Sequence, residues 1–279
     1  MPYEAFKTDL NTLYNGCCTA VVASTTAGDN THLMDLAEAM ATDIYNLGDM
    51  PNEVPEALLE AYAHEFIKAV NMGFVATEGA AAQNEAMVAA IKHQVYQFSA
   101  AKSYTQMKQL TQALLDENDK LRTRSQYRQA AYQINDTHVN AWLNAEMDNC
   151  VCASEMAGKW VGIEANKDVF DLLEFDAILD SHTTQTCRSL NGTKLPPDDP
   201  FWDVYYLPNH YGERSTIKQL RHGTPTPADE VPSADIPVIF RTNLAKHRMV
   251  FPPGHPYFKE APAEVIHQGN EAWLKATGK

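Results

Sequence analysis

The sequence predicts an α+β fold: a predominantly helical N-terminal module over residues 1–165, followed by a small turn-rich α+β module. Three observations carry this expectation. Apolar residues recur at helical spacing through the first part of the chain. Residues 121–157 contain neither Pro nor Gly. Beyond Ala165 the composition changes: 12 of the 15 prolines lie there, Asp, Asn and Gly turns become frequent, and apolar runs shorten.

The elements follow in order. In Thr31–Gly48, Thr31 reads as an N-cap, Leu33, Leu36, Met40 and Ile44 as one apolar face, and Gly48 as a C-terminal stop. The tetrapeptide at 49–52, with Pro51, signals a second start, and Pro51 and Pro55 are tolerated only near a first turn. Val54, Leu58, Tyr62, Phe66 and Val70 then lie four apart, as one stripe on a helix. The Ala- and Gln-rich text from Ala80 to Leu115 continues helical. One long helix is expected from Leu121 to about Trp160, with Ile134, Trp142 and Ala145 on its recurring face. Residues 171–180 read as a short strand-like run. Asn191-Gly192 signals a type I′ hairpin turn. The stretch with Pro225, Pro227, Pro232 and Pro237 reads as a linker-like loop. The chain thus divides into a helical module (1–165), a motif-bearing module (166–223), and a Pro-rich loop with a C-terminal extension (224–279).

Composition narrows the function classes. Of 279 residues, 44% are hydrophobic and 21% charged, as in folded chains. The formal net charge is -14, and residues 1–170 hold 22 of the 36 acidic residues but 11 of the 22 basic ones. Such a chain is repelled by DNA phosphates at long range, which argues against general nucleic-acid binding while leaving room for a local basic strip. The five cysteines (Cys17, Cys18, Cys150, Cys152 and Cys187) are odd in number and form no CxxC, so a secreted disulfide framework is not expected and a reducing compartment is. The start lacks the apolar core of a signal peptide, and no run of about 18 apolar residues reads as a membrane span. Neither GxGxxG nor GxxxxGK[ST] occurs, so nucleotide-dependent chemistry has no support.

The richest stretch runs from Ile178 to Ile217. It gathers Asp180, His182, Cys187, Arg188, Asp198, Asp199, His210, Glu213 and Arg214 among turn residues. Zinc accepts Cys, His and carboxylate ligands in fours, which makes Cys187, His210, His182 and Glu213 a candidate set, although the spacing is not that of a zinc finger. Asn209-His210 invites comparison with metal-dependent nucleases, with Asp180, Asp198 and Asp199 as cation holders. Asp198-Asp199-Pro200 also reads simply as a solvated turn. Cys187 and His210 form a nominal nucleophile and base, without a visible orienting group or oxyanion hole. Elsewhere, Lys120, Arg122, Arg124 and Arg128 form a basic cluster in an acidic module, either a solvated helix start or a contact for an acidic partner. Trp142, Trp160, Phe201 and Trp202 read as core or interface positions.

These residues also carry a family resemblance. Asp180, Thr183, Cys187, Arg188, Leu190, Asn191 and Gly192, then Asp198 to Trp202, then Pro208, Asn209, His210, Arg214, Ser215 and Thr216 stand in an order that resembles the phage Mu F-like minor head proteins, the phage head morphogenesis family. The likeness runs from about Trp160 to Leu220. It implies a low-copy virion protein, present in several copies at the portal vertex or inside the head and made in the host cytoplasm. Its expected partners are the portal protein, the major capsid protein, or both, with contact to packaged DNA and no membrane. The expected role is structural, in head assembly or genome delivery, rather than enzymatic, and no cofactor is implied beyond the candidate zinc. Some relatives carry a toxin or enzyme domain after the motif; about 60 residues follow it here. Glu213 stands where the family often has Cys, and His182 where it often has Arg, which puts a Cys-based metal site in doubt for this chain. Arg188 and Arg214 near Asp180 would hold the module together through charge-assisted hydrogen bonds. The alternative is a metal-dependent, nuclease-like hydrolase centred on Asp180, Cys187 and His210. A third reading is a toxin-related cytoplasmic protein with a minimal effector part.

Overall fold

A computed structural model describes residues 8–10, 12–14, 28–77 and 84–278. Cys17, Cys18, the start of the chain and residues 80–83 of the Ala-rich text lie outside the described residues. The fold is α+β and dominated by helices, with a three-stranded antiparallel sheet.

Four helical segments build the larger layer: α1 (Thr31–Leu47), α2 (Glu56–Val75), α3 (Glu85–Gln112), and a long arm made of α4 (Arg124–Asp136), a π-helical turn (Thr137–Trp142) and α5 (Leu143–Asn166). The stripe expected from spacing is buried: Leu58, Tyr62, Phe66 and Val70 form the buried face of α2, and Val54, two residues before its start, is buried with them. Each such side chain contributes about 1.5–3 kcal/mol relative to exposure. Leu33, Met40 and Ile44 are buried on α1 as expected, while Leu36 is half-buried. Gly48 ends α1 at φ 73°, the left-handed cap that a side chain would strain. Thr31 is not the cap. It is the first helical residue, and its N–H and hydroxyl both donate to Asp29 Oδ1, while Asn30 occupies the cap position and turns its amide to Val139 O at 3.1 Å.

The single helix expected from Leu121 to Trp160 starts later and is not uniform. Thr123 caps α4 in a reciprocal box with Gln126, and the π turn inserts an extra residue near the middle. α2 and α5 approach closely because Gly73 faces the Val151–Glu155 backbone: a Cβ there would sit 2.8 Å from Ser154 Cβ. α3 is central and buried nearly all round, with Lys102, Ser103, Thr105 and Gln106 fully covered.

The smaller layer is the sheet, ordered β2–β1–β3, with β1 (Leu172–Asp176), β2 (Lys194–Leu195) and β3 (Thr216–Leu220). Between the strands lie two short helices, α6 (Gln185–Leu190) and α7 (Phe201–Tyr205). Asn191-Gly192 is a turn, but of type II rather than I′: Asn191 has φ -58° and ψ 132°, Gly192 has φ 80°, and Thr193 N–H donates to Leu190 O at 3.2 Å. It follows a helix instead of joining two strands directly, so the geometry of a two-residue hairpin is not required.

The composition boundary near residue 165 is not a break in the core. One apolar cluster runs from Leu10 through Trp160 to Leu173, Trp202, Tyr206 and Ala272. Tyr206 donates to Met156 O at 2.8 Å across it. Residues 224–237 contain no helix or strand, as the prolines suggested, although Thr226 pairs with Lys194 through two hydrogen bonds. The C-terminal extension returns to the helical layer. After a 3₁₀ turn (Val238–Phe240), α8 (Leu244–His247) and α9 (Pro256–Glu260), α10 (Ala263–Thr277) packs along α3. Gly269 permits that contact, since a Cβ there would lie 2.8 Å from Tyr96 O.

Beneath this packing lies an ion pair that residue type alone conceals. Lys102 on α3 and Glu146 on α5 meet at 2.9 Å with both side chains fully buried. Lys102 also donates to His138 O at 3.0 Å, and its ammonium sits 5.0 Å from the Tyr62 ring centroid. Tyr14 donates to Glu146 at 2.5 Å and stacks between Trp142 and Tyr211. Burial pushes the Glu146 carboxyl up and the Lys102 ammonium down, and the opposite charge of each partner resists this.

Candidate metal centre

The sheet brings the motif residues together. In the β1–β3 register Asp176 faces Thr216, so the chain leaving β1 and the chain entering β3 run side by side. Asp180 and Arg214 are the next conspicuous residues on those two segments. Arg214 Nη1 and Nη2 donate to Asp180 Oδ2 and Oδ1 at 2.8 and 2.7 Å, a bidentate fork. The Asp180 loop is also closed locally: His182 N–H donates to Oδ1, and Asp180 N–H donates to the Thr183 hydroxyl, which donates to Ile178 O. Arg188 donates to the Asp180 carbonyl. The Arg214 hydrogen bonds, followed by that of His182, hold the Asp180 carboxyl well below the usual carboxylate range.

Cys187 and His210 are held by α6 and by the loop after α7. Thr184 caps α6 by accepting from Cys187 N–H at 3.2 Å. The thiol is buried, and His210 Nε2 lies 3.1 Å from Sγ. His210 Nδ1 lies 2.8 Å from Tyr211 O, so in the neutral ring Nδ1 carries the proton and Nε2 presents its lone pair toward Cys187. Glu213 completes the triangle: its Oε1 and Oε2 are 3.3 and 3.4 Å from Sγ, and Oε2 is 3.5 Å from Nε2. Oε1 accepts from Arg214 N–H, Ser215 N–H and the Ser215 hydroxyl, which leaves Oε2 as the freer oxygen. Burial, then the Glu213 charge, pushes the Cys187 thiol up to about 12.

Cys187, His210 and Glu213 are the metal-ligand group found among the described residues, with their donor atoms within 4.8 Å of one another. Bonds of about 2.0–2.3 Å at tetrahedral angles place zinc ligands roughly 3.3–3.6 Å apart. The observed 3.1–3.5 Å spacings sit close to that requirement. The donor set therefore fits zinc, with the Nδ1–carbonyl bond fixing the ring as second partners of zinc-bound His do. His182, the fourth expected ligand, lines the same recess but is exposed and stands outside the group. The Thr184 hydroxyl takes the neighbouring corner, 3.1 Å from Sγ and 3.2 Å from Nε2. Asp198 and Asp199 are elsewhere: Asp199 accepts from Phe201 N–H at the start of α7, and Asp198 faces Lys167.

The remaining motif residues are structural in geometry. Asn191 Oδ1 accepts from Ala177 N–H at 2.8 Å, and Gly192 N–H donates to Phe175 O. Trp202 is fully buried and donates its indole N–H to Pro196 O at 3.0 Å. Asn209 is buried and donates to Tyr205 O. The recess at Cys187 has a volume of only about 10 Å³, about that of a single water.

No family model, no curated protein and no solved structure matches the chain. No helix among the described residues is long and apolar enough to cross a membrane.

Proposed function

We propose that this chain is a minor head protein of a tailed phage or prophage, a structural adaptor that joins head assembly or genome delivery at the portal vertex or inner capsid face. The observation that supports this reading is the use made of the motif. Arg214 ties to Asp180, Arg188 to the Asp180 carbonyl and Asn191 to Ala177 across separate segments, while Thr183, Trp202 and Asn209 are committed to bonds that close their own turns. The module is a hydrogen-bonded knot beside a helical layer, and among the described residues the recess over Cys187 is only about 10 Å³, too small for a substrate. The hydrolase reading needs Asp180 free to hold a cation, and both its carboxylate oxygens accept from Arg214. The Cys187–His210–Glu213 triangle offers three protein ligands, and in the adaptor reading the Thr184 hydroxyl, 3.1 Å from Sγ and 3.2 Å from Nε2, closes the fourth corner, where a catalytic zinc would keep a water.

The test is co-expression with the portal and major capsid proteins of the same genome neighbourhood, followed by size exclusion and imaging. The reading expects co-elution with portal or incorporation into heads. Absence from both, together with metal-dependent cleavage of DNA, would replace it with the hydrolase. Metal analysis of the purified chain is expected to find about one zinc per chain, lost in Cys187→Ser.

A further inference from the structure

A cavity of about 620 Å³ opens between α1 and α4, a size usual for ligand sites. Its walls carry Arg124 and Arg128, one helical turn apart and both exposed. Neither is paired with a carboxylate among the described residues. Arg122, by contrast, is tied down, donating to Ala113 O and Leu115 O at the end of α3. Of the basic cluster, the two arginines on α4 are therefore the ones presented to the cavity.

The floor supplies an independent observation. Tyr127 and Asn135 line the cavity and are 2% and 0% exposed. Among the described residues the Tyr127 hydroxyl and Asn135 Nδ2 have no hydrogen-bond partner. Leaving such groups orphaned costs about 1–3 kcal/mol each. The Asn135 amide is not free to turn away, because its Oδ1 accepts from Gln106, whose own oxygen accepts from Tyr62. Both orphans are donors, as are the guanidiniums. Arg124, Tyr127, Arg128 and Asn135 share one face of α4 and span twelve residues, roughly 16 Å along its axis. The cavity thus sets two exposed cations above two buried, unpartnered donors.

We propose that this cleft binds an acidic peptide segment of a partner protein: Arg124 and Arg128 pair with its carboxylates, and seating the peptide parts α1 from α4 enough for the buried Tyr127 hydroxyl and Asn135 amide to donate to its backbone carbonyls. Charge decides against nucleic acid. Two arginines beside Glu38 leave the lining with a single net positive charge, on a chain of net charge -14. A polyanion with a charge about every 1.7 Å of duplex is not neutralised by that, whereas a peptide with one or two carboxylates is. The inference rests on the adaptor reading for the existence of a partner and gives that partner a chemistry.

The test uses the full chain and fluorescence anisotropy. The probes are a labelled, end-capped octapeptide of Gly carrying two Glu two residues apart, its neutral counterpart with Gln in their place, and a thymidine octanucleotide. The acidic peptide is expected to bind about tenfold or more tightly than the neutral one, and the Arg124→Gln/Arg128→Gln variant to lose about that factor. Tyr127→Phe separates a seated peptide from loose attraction to surface charge. It removes an unpaired hydroxyl, so thermal stability should hold while affinity falls about threefold or more. Equal binding of the two peptides, an unchanged affinity in either variant, or tighter binding of the oligonucleotide each overturns the proposal. Peptide binding retained by a chain that never enters heads would sink the adaptor reading alone. Incorporation into heads without peptide binding would sink the cleft alone.

Discussion

Glu146→Ala should be among the most damaging single substitutions in the helical layer, and its cost can be worked out from the geometry. Lys102 and Glu146 are both fully buried, and the variant leaves the ammonium with only the His138 carbonyl and two tyrosine rings. Removing one partner of a buried pair costs about 3–5 kcal/mol. A second route bounds the loss. Lys102 can shed its proton instead, and neutralising a lysine of ordinary pKa 10.5 at pH 7 costs about 4.8 kcal/mol, at about 1.36 kcal/mol per pH unit. The two routes agree on roughly 3–5 kcal/mol, or a fall in Tm of about 6–20 °C. The second route also gives a sign. In the variant the unfolded chain binds a proton that the folded chain resists, so stability rises with pH. At pH 9 the ceiling is only about 2 kcal/mol, and the gap to wild type should close. The double variant Lys102→Met/Glu146→Leu should recover most of the loss, since an apolar replacement leaves no orphaned charge. Guanidinium unfolding followed by tryptophan fluorescence at both pH values measures all three. A destabilisation under about 1 kcal/mol at pH 7, or one that persists unchanged at pH 9, would refute the buried charged pair.

Other expectations concern the motif module and the helix contacts. Asp180 has its pKa lowered from 3.8 by Arg214, so its contribution is present above that value and disappears as pH falls through the range below it. The acid-unfolding curves of wild type and Asp180→Asn should therefore differ at about pH 6, still differ at about pH 3, and converge only below that; parallel curves throughout would count against the fork. Cys187, with its thiol at about 12, should be alkylated by iodoacetamide at neutral pH roughly 10³-fold more slowly than an ordinary thiol near 8.5, as read by peptide mass spectrometry of the metal-free chain. A rate like that of a free thiol would show the side chain is open to solvent. Gly73→Ala drives a methyl into the Ser154 and Val151 region of α5 and should cost about 1–3 kcal/mol, whereas Gly162→Ala, which meets nothing within 4 Å, should stabilise by about 0.5–1 kcal/mol. Thermal melts that rank the two glycines the other way would contradict the α2–α5 contact.

The α2 stripe and the Gly48 stop were legible because helical period and left-handed geometry act within a few residues of sequence. Asp180 and Arg214 were legible as partners only through the resemblance; their meeting depends on the β1–β3 register, which no local pattern encodes. Cys187 and His210 were marked, and Glu213 with them, but His182 was not separable from these by residue type. It lies on the outer side of the Asp180 turn, and only the turn's hydrogen bonds reveal that. The buried pair was missed because Lys and Glu ordinarily read as surface and lie 44 positions apart here. A signal did exist. The α3 text of Ala, Ser, Gln and scattered apolar residues has no polar face of its own, and a helix without one is covered on all sides, so a lysine in its middle must be covered too. The cleft donors were invisible for the same reason: Tyr127 and Asn135 become orphans only when tertiary neighbours remove water from them.

The docking of α10 along α3 has a consequence for biosynthesis. Some 150 residues separate the end of α3 from the start of α10, and at about 5–20 residues per second a ribosome takes roughly 8–30 s to make them. Throughout that interval the nascent helical layer has one uncovered flank, around Tyr96 and Gln97, which Gly269 will later meet. The flank is a natural landing place for a holdase chaperone. The rate of translation through the intervening proline-rich text therefore sets how long the half-built protein is exposed to its neighbours.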